Sequence, residues 1–213
     1  MENNGELTLK QVPTFSISDS FNTKPWDSIS WTPLCKSFGT LTFDTRFKAT
    51  WCEKGIYFLI DCEDTEFSCS GNLTDFDDIY TEDAVEVFLQ PDPRQALYLE
   101  HEVSPYNKEL TLLVPQDHGT FMGWIPWKYT GDRKIQHRIY HNPNSKNWSA
   151  EIFIPFILMT GMAHTPPQKG STWHANICRL DYADPASYTL WSWRQMTSNT
   201  FHNLKDFGML HFE

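Results

Sequence analysis

The sequence predicts an all-β sandwich, for three reasons. Helical periodicity is almost absent, runs that alternate apolar and polar residues are frequent, and turn-forming residues bound those runs. Strands at this spacing, without long helices between them, are typical of a sandwich and not of a parallel sheet built from βαβ units.

The individual strands follow from local patterns. Residues 55–62 (GIYFLIDC) are apolar at almost every position, which predicts a central strand that is buried on both faces. Residues 155–162 predict one short helical turn region. The other predicted strands span residues 39–50, 84–90, 97–104, 109–114, 133–141, 148–154, 173–181 and 207–212.

One domain is predicted. No linker rich in proline, serine or glycine divides the 213 residues, and no repeat or low-complexity tract is present. We assign residues 1–38 to an N-terminal arm with an early strand packed on the same domain, and residues 39–213 to the sandwich. A chain of this length buries roughly 70% of its unfolded surface, so it needs neither a metal nor a disulfide merely to fold.

The net charge of −10 argues against nucleic acid as a partner, because affinity for nucleic acid comes largely from lysine and arginine. No basic run suggests an anionic membrane, and no apolar stretch is long enough to insert into one. A neutral or cationic ligand fits the charge better. The first fourteen residues lack the apolar stretch of a signal peptide, so we expect no export signal. The sequence predicts no particular oligomeric state.

Five cysteines are present, and an odd number cannot all pair within one chain. Neither a CxxC motif nor a zinc-type Cys/His spacing occurs, so we expect reduced, structural thiols. Cys52, Cys62 and Cys178 lie in strand-like runs, where a thiol packs as a small hydrophobic group.

Familiar catalytic signatures are missing, which predicts that the chain is not an enzyme. There is no GxSxG elbow, GxGxxG loop, P-loop or HExxH motif. Four glutamates nevertheless lie on predicted strands, namely Glu86, Glu100, Glu102 and Glu151. Two facing carboxylates about 5–10 Å apart would suffice for glycoside hydrolysis, so a glycoside-processing enzyme is the alternative.

The sequence requires no cofactor, but it leaves structural calcium and haem as alternatives. Calcium binds clusters of loop carboxylates, and two such clusters occur, at Asp61, Glu63 and Asp64 and at Asp75, Asp77 and Asp78. Solvated loops explain both clusters more simply, and neither has the spacing of an EF-hand. A haem domain with Met and His axial ligands is a further alternative that no local pattern marks.

Aromatic residues are unusually frequent, with nine Trp, eight Tyr and fifteen Phe, so we expect several rings at a surface. Tyr80 lies in the entry to the strand at 84–90. Trp191 and Trp193 point to the same face of an extended chain. Phe201 and His202 lie in a polar loop, which predicts an exposed ring at Phe201. Exposed rings stack on pyranose faces, although core packing explains the same residues equally well.

The sequence resembles the carbohydrate-binding modules of family 9 and their free-standing relatives, from about residue 40 to the end. The resemblance rests on an ordered set of segments: GIYFLIDCED (55–64), YTEDAVEVFLQP (80–91), YLEHEVSP (98–105), WSAEIFIP (148–155), HANICRLDY (174–182), WSW (191–193) and FHNLKDFGMLHF (201–212).

The resemblance implies an immunoglobulin-like or jelly-roll-like β-sandwich of two antiparallel sheets. It implies that two rings, here Tyr80 and Phe201, clamp a terminal saccharide. It also implies that Glu86 accepts a hydrogen bond from a hydroxyl of that saccharide. Structural calcium is common in such modules. They act on plant or microbial polysaccharides outside the cytoplasm, whereas the cysteine count and the missing signal favour the cytoplasm, so the compartment stays open.

The sequence also departs from the family pattern. Both clamp positions hold smaller rings than tryptophan, Cys178 stands where a sugar-binding amide is found, and Glu102 stands near the position of an arginine. Because Arg179 lies on the same predicted strand as Cys178, we expect it to supply the positively charged hydrogen-bond donor that the missing arginine provides in the family. The predicted function is non-catalytic binding of an oligo- or polysaccharide, and the predicted ligand-binding residues are Tyr80, Glu86, Glu102, Arg179, Trp193, Phe201 and His202.

Overall fold

Two β-sheets face each other across a hydrophobic core in the computed structural model, which confirms the predicted all-β sandwich. The structure describes residues 5–17, 24–65, 67–142, 144–145, 147–184 and 187–213. Core side chains come from both sheets, because the alternating apolar residues of each sheet turn toward the other.

The described residues form fifteen strands and five short 3-10 helices. The strands are β1 (Glu6–Leu9), β2 (Thr32–Pro33), β3 (Cys35–Phe38), β4 (Thr45–Cys52), β5 (Gly55–Cys62), β6 (Ala84–Gln90), β7 (Leu97–Val103), β8 (Glu109–Asp117), β9 (Thr120–Phe121), β10 (Ile125–Pro126), β11 (Gln136–His141), β12 (Trp148–Pro155), β13 (Thr172–Asp184), β14 (Ser187–Ser192) and β15 (Gly208–Phe212). The 3-10 helices are Lys24–Trp26, Ile79–Thr81, Gly131–Arg133, Phe156–Met159 and Leu204–Asp206.

The larger sheet follows the order β1-β15-β13-β6-β7-β8-β10, with β14 and β3 extending from β13 and with β9 paired to β8. The smaller sheet follows the order β11-β12-β5-β4-β2. Neighbouring strands are antiparallel throughout, except that β1 runs parallel to β15. The predicted strands at 55–62 and 84–90 agree with the bounds of β5 and β6. The strand predicted at 173–181 is longer in the structure, as β13, and the strand predicted at 39–50 begins later, as β4.

Both faces of the larger sheet are partly covered, which explains how it holds a site. On β6, Val85 and Val87 turn inward to the core between the sheets, while Glu86 and Phe88 turn to the outer face. A second hydrophobic cluster lies on that outer face, where Phe201 and Phe207 from the loop before β15 pack on Phe88. The loop before β15 therefore covers part of the outer face of the larger sheet.

The N-terminal segment covers the outer face of the smaller sheet. Trp26 is buried against Tyr57 and Leu59 of β5, and its indole Nε1 donates a hydrogen bond of 2.7 Å to Glu151. This cover explains why β5 is apolar on both faces. Although β1, β2 and β3 also pair with strands of the two sheets, the boundary proposed at residue 38 stays a prediction.

All five cysteines are unpaired, and Cys52, Cys62 and Cys178 are buried as expected for structural thiols. In the described part of the chain, no helix has the length and apolar character needed to cross a membrane.

Candidate functional site

A cavity of about 270 Å³ opens on the outer face of the larger sheet. Strands β6, β7, β8, β13 and β14 contribute side chains to it, and the loop before β15 contributes 199–202. Leu112, Leu180 and Leu190 supply an apolar part of the lining. The site thus combines positions on paired strands with one loop wall.

Three glutamates lie together in this cavity. Glu86 on β6 stands directly opposite Glu102 on β7, and Glu100 lies two residues away from Glu102 on the same face. At least one carboxylate oxygen of each lies within 4.8 Å of the others. Their exposed fractions are only 3%, 3% and 1% for Glu86, Glu100 and Glu102. We call these three residues the glutamate cluster.

Burial makes the glutamate cluster hold protons. It raises the pKa of Glu100 to about 8, and it raises the pKa values of Glu86 and Glu102 well above their usual range. The charges of the neighbouring carboxylates raise the pKa of Glu86 and Glu102 further. Among the described residues that line the cavity, none is a lysine or an arginine that would favour the ionised forms.

Two acceptors of the cluster have no internal partner. Oε2 of Glu100 and Oε2 of Glu102 are buried and accept no hydrogen bond from the described residues. His202 Nδ1 is 3.8 Å from Glu100 Oε2, which is too long for a hydrogen bond, and instead lies 2.8 Å from the Tyr98 hydroxyl. Because buried polar atoms are normally paired, these oxygens are available to a ligand.

Aromatic side chains form much of the cavity wall. Tyr182 on β13 pairs in register with Tyr188 on β14, and their ring centroids are 5.4 Å apart. Tyr80 meets Trp124 edge to face, with ring centroids 5.9 Å apart. Trp124 and Tyr188 remain 45% and 44% exposed, so their rings are accessible at the mouth.

Phe201 lies deeper than the sequence predicts. We expected an exposed ring in a polar loop, but Phe201 is only 8% exposed and its centroid is 6.2 Å from that of Phe88. The polar side chains of the loop explain why Phe201 is buried, because several of them hydrogen-bond to one another within the loop. Asp206 accepts hydrogen bonds from Thr197 and Asn203 and so folds the loop back onto the sheet.

Five of the seven predicted ligand-binding residues line the cavity, namely Tyr80, Glu86, Glu102, Phe201 and His202. The other two lie elsewhere. Trp193 is fully buried between the sheets, where it packs on Phe47. Arg179 also faces inward, because its position on β13 alternates with Cys178 and Leu180 of the outer face. We therefore leave Arg179 and Trp193 out of the proposed site, and the sugar-binding roles of the other five stay predictions.

Several cavity residues were missed as ligand-binding candidates. Glu100 could have been found, since the alternation within β7 places it on the same face as Glu102. Tyr182 and Tyr188 lie at the end of a hairpin that the sequence predicts only in part. Trp124 has no local pattern that links it to the site, because only the path of the chain after β9 brings it to Tyr80.

The aspartates of the two predicted calcium clusters form contacts with other side chains of the protein. Asp61 is paired with Arg46 at 2.9 Å, and Asp77 accepts hydrogen bonds from Thr74. Asp64 instead joins Asp83 and Asp181 in a buried group of three carboxylates. An internal cation already lies within that group.

That cation is Arg179. Its Nη2 lies 2.9 Å from Asp64 Oδ2 and 3.2 Å from Asp181 Oδ1, while Nη1 donates to the Thr45 hydroxyl and to the Glu63 carbonyl. Calcium binding stays a prediction.

The comparison with known families now decides the family of this protein. The profile described as "Carbohydrate family 9 binding domain-like" matches residues 19–213. The chain belongs to this family of carbohydrate-binding domains. Family 9 modules are non-catalytic, which fits the expectation that the chain is not an enzyme.

Solved structures of low sequence identity share the fold. A protein from Bacteroides uniformis with an inferred carbohydrate-binding function gives a TM-score of 0.72 at 14% identity, over 98% of this chain and 99% of that chain. A family 9 module from Caldicellulosiruptor kristjanssonii in complex with glucose gives 0.70 at 15% identity, over 98% and 95%. Its complex with cellotriose gives 0.69 at 15% identity, over 98% and 93%. No curated protein matches the chain.

Proposed function

We propose that this family 9 domain binds the terminal saccharide of an oligo- or polysaccharide in the outer-face cavity, without catalysis. The observation that carries the proposal is the combination of accessible rings with buried, unpartnered carboxyl oxygens in one small cavity. A pyranose presents the complementary surfaces, since its C–H faces pack on rings and its hydroxyls need hydrogen-bond partners.

The rings have distinct roles in the proposed complex. Tyr80 and Phe201 are the clamp that the family resemblance implies, but Phe201 offers only a small exposed edge. Trp124 therefore takes on part of the stacking, because it is the larger and more exposed ring beside Tyr80. The cavity holds little more than one sugar ring, which favours the end of a chain over its middle.

Calorimetric titration tests this function directly. The ligands are glucose, cellobiose, xylobiose and galactose, each with added calcium and with a chelator, because the structures of the module from Caldicellulosiruptor kristjanssonii contain glucose and cellotriose. Binding of one of these ligands that weakens several-fold or more in Trp124→Ala and Phe201→Ala supports the proposal, since a stacked ring contributes about 1 kcal/mol. A chelator that abolishes binding would show that calcium is needed.

Tyr106→Ala is the matched control. Tyr106 is 50% exposed, similar to Trp124, but does not line the cavity. It should bind sugar as the wild type does, and thermal melts should show that each variant is folded. Equal losses in Trp124→Ala and Tyr106→Ala, or no binding to any sugar by the wild type, would contradict the proposal.

Glycoside hydrolysis is the second candidate, because carboxyls with raised pKa values are the general acids of glycosidases. The geometry opposes it. Such enzymes hold their two carboxyls on either side of the scissile bond, whereas the three carboxyls of the glutamate cluster lie together on one face of the sheet. Turnover of a chromogenic glycoside that disappears in Glu86→Gln would overturn the binding-only proposal.

A further inference from the structure

The cavity contains several acidic side chains and few basic ones. Three carboxyl groups converge in it, and none of the described lining residues is a lysine or arginine. His202, the basic side chain among the described lining residues, is neutral near pH 7, because burial lowers its pKa to about 4. The whole chain is also acidic, with a net charge of −10. A ligand that brings a positive charge would complement this site.

The geometry of the acceptors fits an ammonium group. Carboxylate oxygens of Glu86, Glu100 and Glu102 lie within 4.8 Å of one another. A single atom can therefore lie within about 2.8 Å of all three (4.8 Å divided by the square root of three), the usual length of an N–H···O bond between charged groups. An ammonium carries three N–H donors, one for an oxygen of each of the three carboxyl groups. Oε2 of Glu100 and Oε2 of Glu102 have no other partner among the described residues.

The walls of the cavity add a second feature that favours a cation. Rings of Tyr80, Trp124, Tyr182 and Tyr188 surround the entrance to the glutamate cluster. Aromatic faces attract cations electrostatically, and they also pack on the apolar faces of a sugar. A hydrated metal ion would gain little from these rings, whereas a cationic sugar would use both properties.

We propose that the cavity selects an amino sugar, a saccharide of the glucosamine type whose protonated amine lies among Glu86, Glu100 and Glu102. This inference rests on the proposed function and names its ligand class. An N-acetylated sugar lacks the charge, so it should bind no better than glucose.

Proton release follows from the same arrangement. Without ligand the cluster holds protons near neutral pH, because burial raises the pKa of each carboxyl. The arriving ammonium favours the carboxylate form, so a carboxyl proton leaves to the buffer as the charged hydrogen bond forms. Glucose brings no charge and should release no proton. Affinity for the amino sugar should rise with pH until the amine itself loses its proton.

Calorimetry of the intact protein with glucosamine, glucose and N-acetylglucosamine tests the inference, in two buffers of different ionisation enthalpy. We expect glucosamine to bind about tenfold more tightly than either neutral sugar, with proton release to the buffer. Glucose binding as tightly as glucosamine would overturn the inference and leave the proposed function standing. No binding to any sugar would overturn both.

Variants locate the preference. Glu100→Gln and Glu102→Gln keep the shape of each side chain and remove its charge, so in each variant the ratio of glucosamine affinity to glucose affinity should fall by most of the expected tenfold. Glu53→Gln, which removes one charge from an exposed site outside the cavity, should keep the preference. A preference that survives in both cavity variants, with folding confirmed by thermal melts, would overturn the inference.

Discussion

Two buried groups of three carboxyl side chains differ in position and in partners, which separates a structural site from a candidate binding site. The group of Asp64, Asp83 and Asp181 lies between the sheets and contains the guanidinium of Arg179. The glutamate cluster lies on the outer face of the larger sheet and opens to a cavity, and no lysine or arginine lines that cavity in the part of the chain that the structure describes. Buried carboxyl groups are stabilised by a cation or by a proton, so the first group has its cation within the chain, whereas burial favours the protonated form of the second. In the proposed complex, the ammonium of an amino sugar would supply the cation of the second group.

The largest expected effect comes from removing the internal cation. Arg179→Met should lower the free energy of unfolding by about 3–5 kcal/mol, because it leaves buried carboxylates without their partner. Urea denaturation of the wild type and the variant measures the difference.

Arg46→Met is the matched control for that change. Arg46 pairs with Asp61 at the same distance of 2.9 Å, but its side chain is 50% exposed, so the cost should be below about 1 kcal/mol. Similar losses of stability in Arg179→Met and Arg46→Met would contradict the claim that the buried carboxylates depend on Arg179.

The second effect is a pH dependence located in the glutamate cluster. The folded-state pKa of Glu100 is raised to about 8, so its contribution to stability is fully present below the unfolded pKa near 4.5 and is lost as pH rises through 8. Glu100→Gln should therefore gain stability relative to the wild type between pH 5 and pH 9, by about 2–4 kcal/mol.

Urea denaturation at the two pH values measures this gain. The comparison between variant and wild type cancels the opposite contributions of His101 and His202, whose pKa values are lowered by burial. Parallel pH profiles for Glu100→Gln and wild type would show that the glutamate cluster is not the source.

The smallest effects come from one polar neighbour of each carboxylate group. Thr45→Val removes a hydrogen-bond acceptor of Arg179, so it should cost about 1 kcal/mol of stability and leave sugar affinity unchanged. Asn199→Ala removes an exposed amide at the cavity, so it should weaken sugar binding several-fold at no cost in stability. Thermal melts and calorimetry on both variants check the pair, and the reverse pattern would contradict the division of roles.

Much of the glutamate cluster could be predicted from local pattern. The alternation within β7 places Glu100 and Glu102 on one face, and the alternation within β6 separates Glu86 from the core residue Val87. That Glu86 stands opposite Glu102 could not be predicted, because the register between two strands depends on how both pack against the rest of the sheet.

Arg179 and Phe201 show the limits of local reasoning. Arg179 was expected to face the ligand, but its partners Asp64 and Thr45 are more than a hundred residues away in the sequence and became visible only in the fold. Phe201 was expected to be exposed because its neighbours are polar, yet those neighbours bond within their own loop and leave the ring to pack on Phe88.

The sequence by itself determined the strands, their buried faces, the all-β class and the resemblance to family 9, because each depends on residue order and on a period of two. The tertiary structure decided which charges meet. It enclosed a cation with Asp64 and Asp181 and, among the described residues, placed no lysine or arginine at the cavity of the glutamate cluster, because burial and pairing depend on distances that only the packed sheets establish.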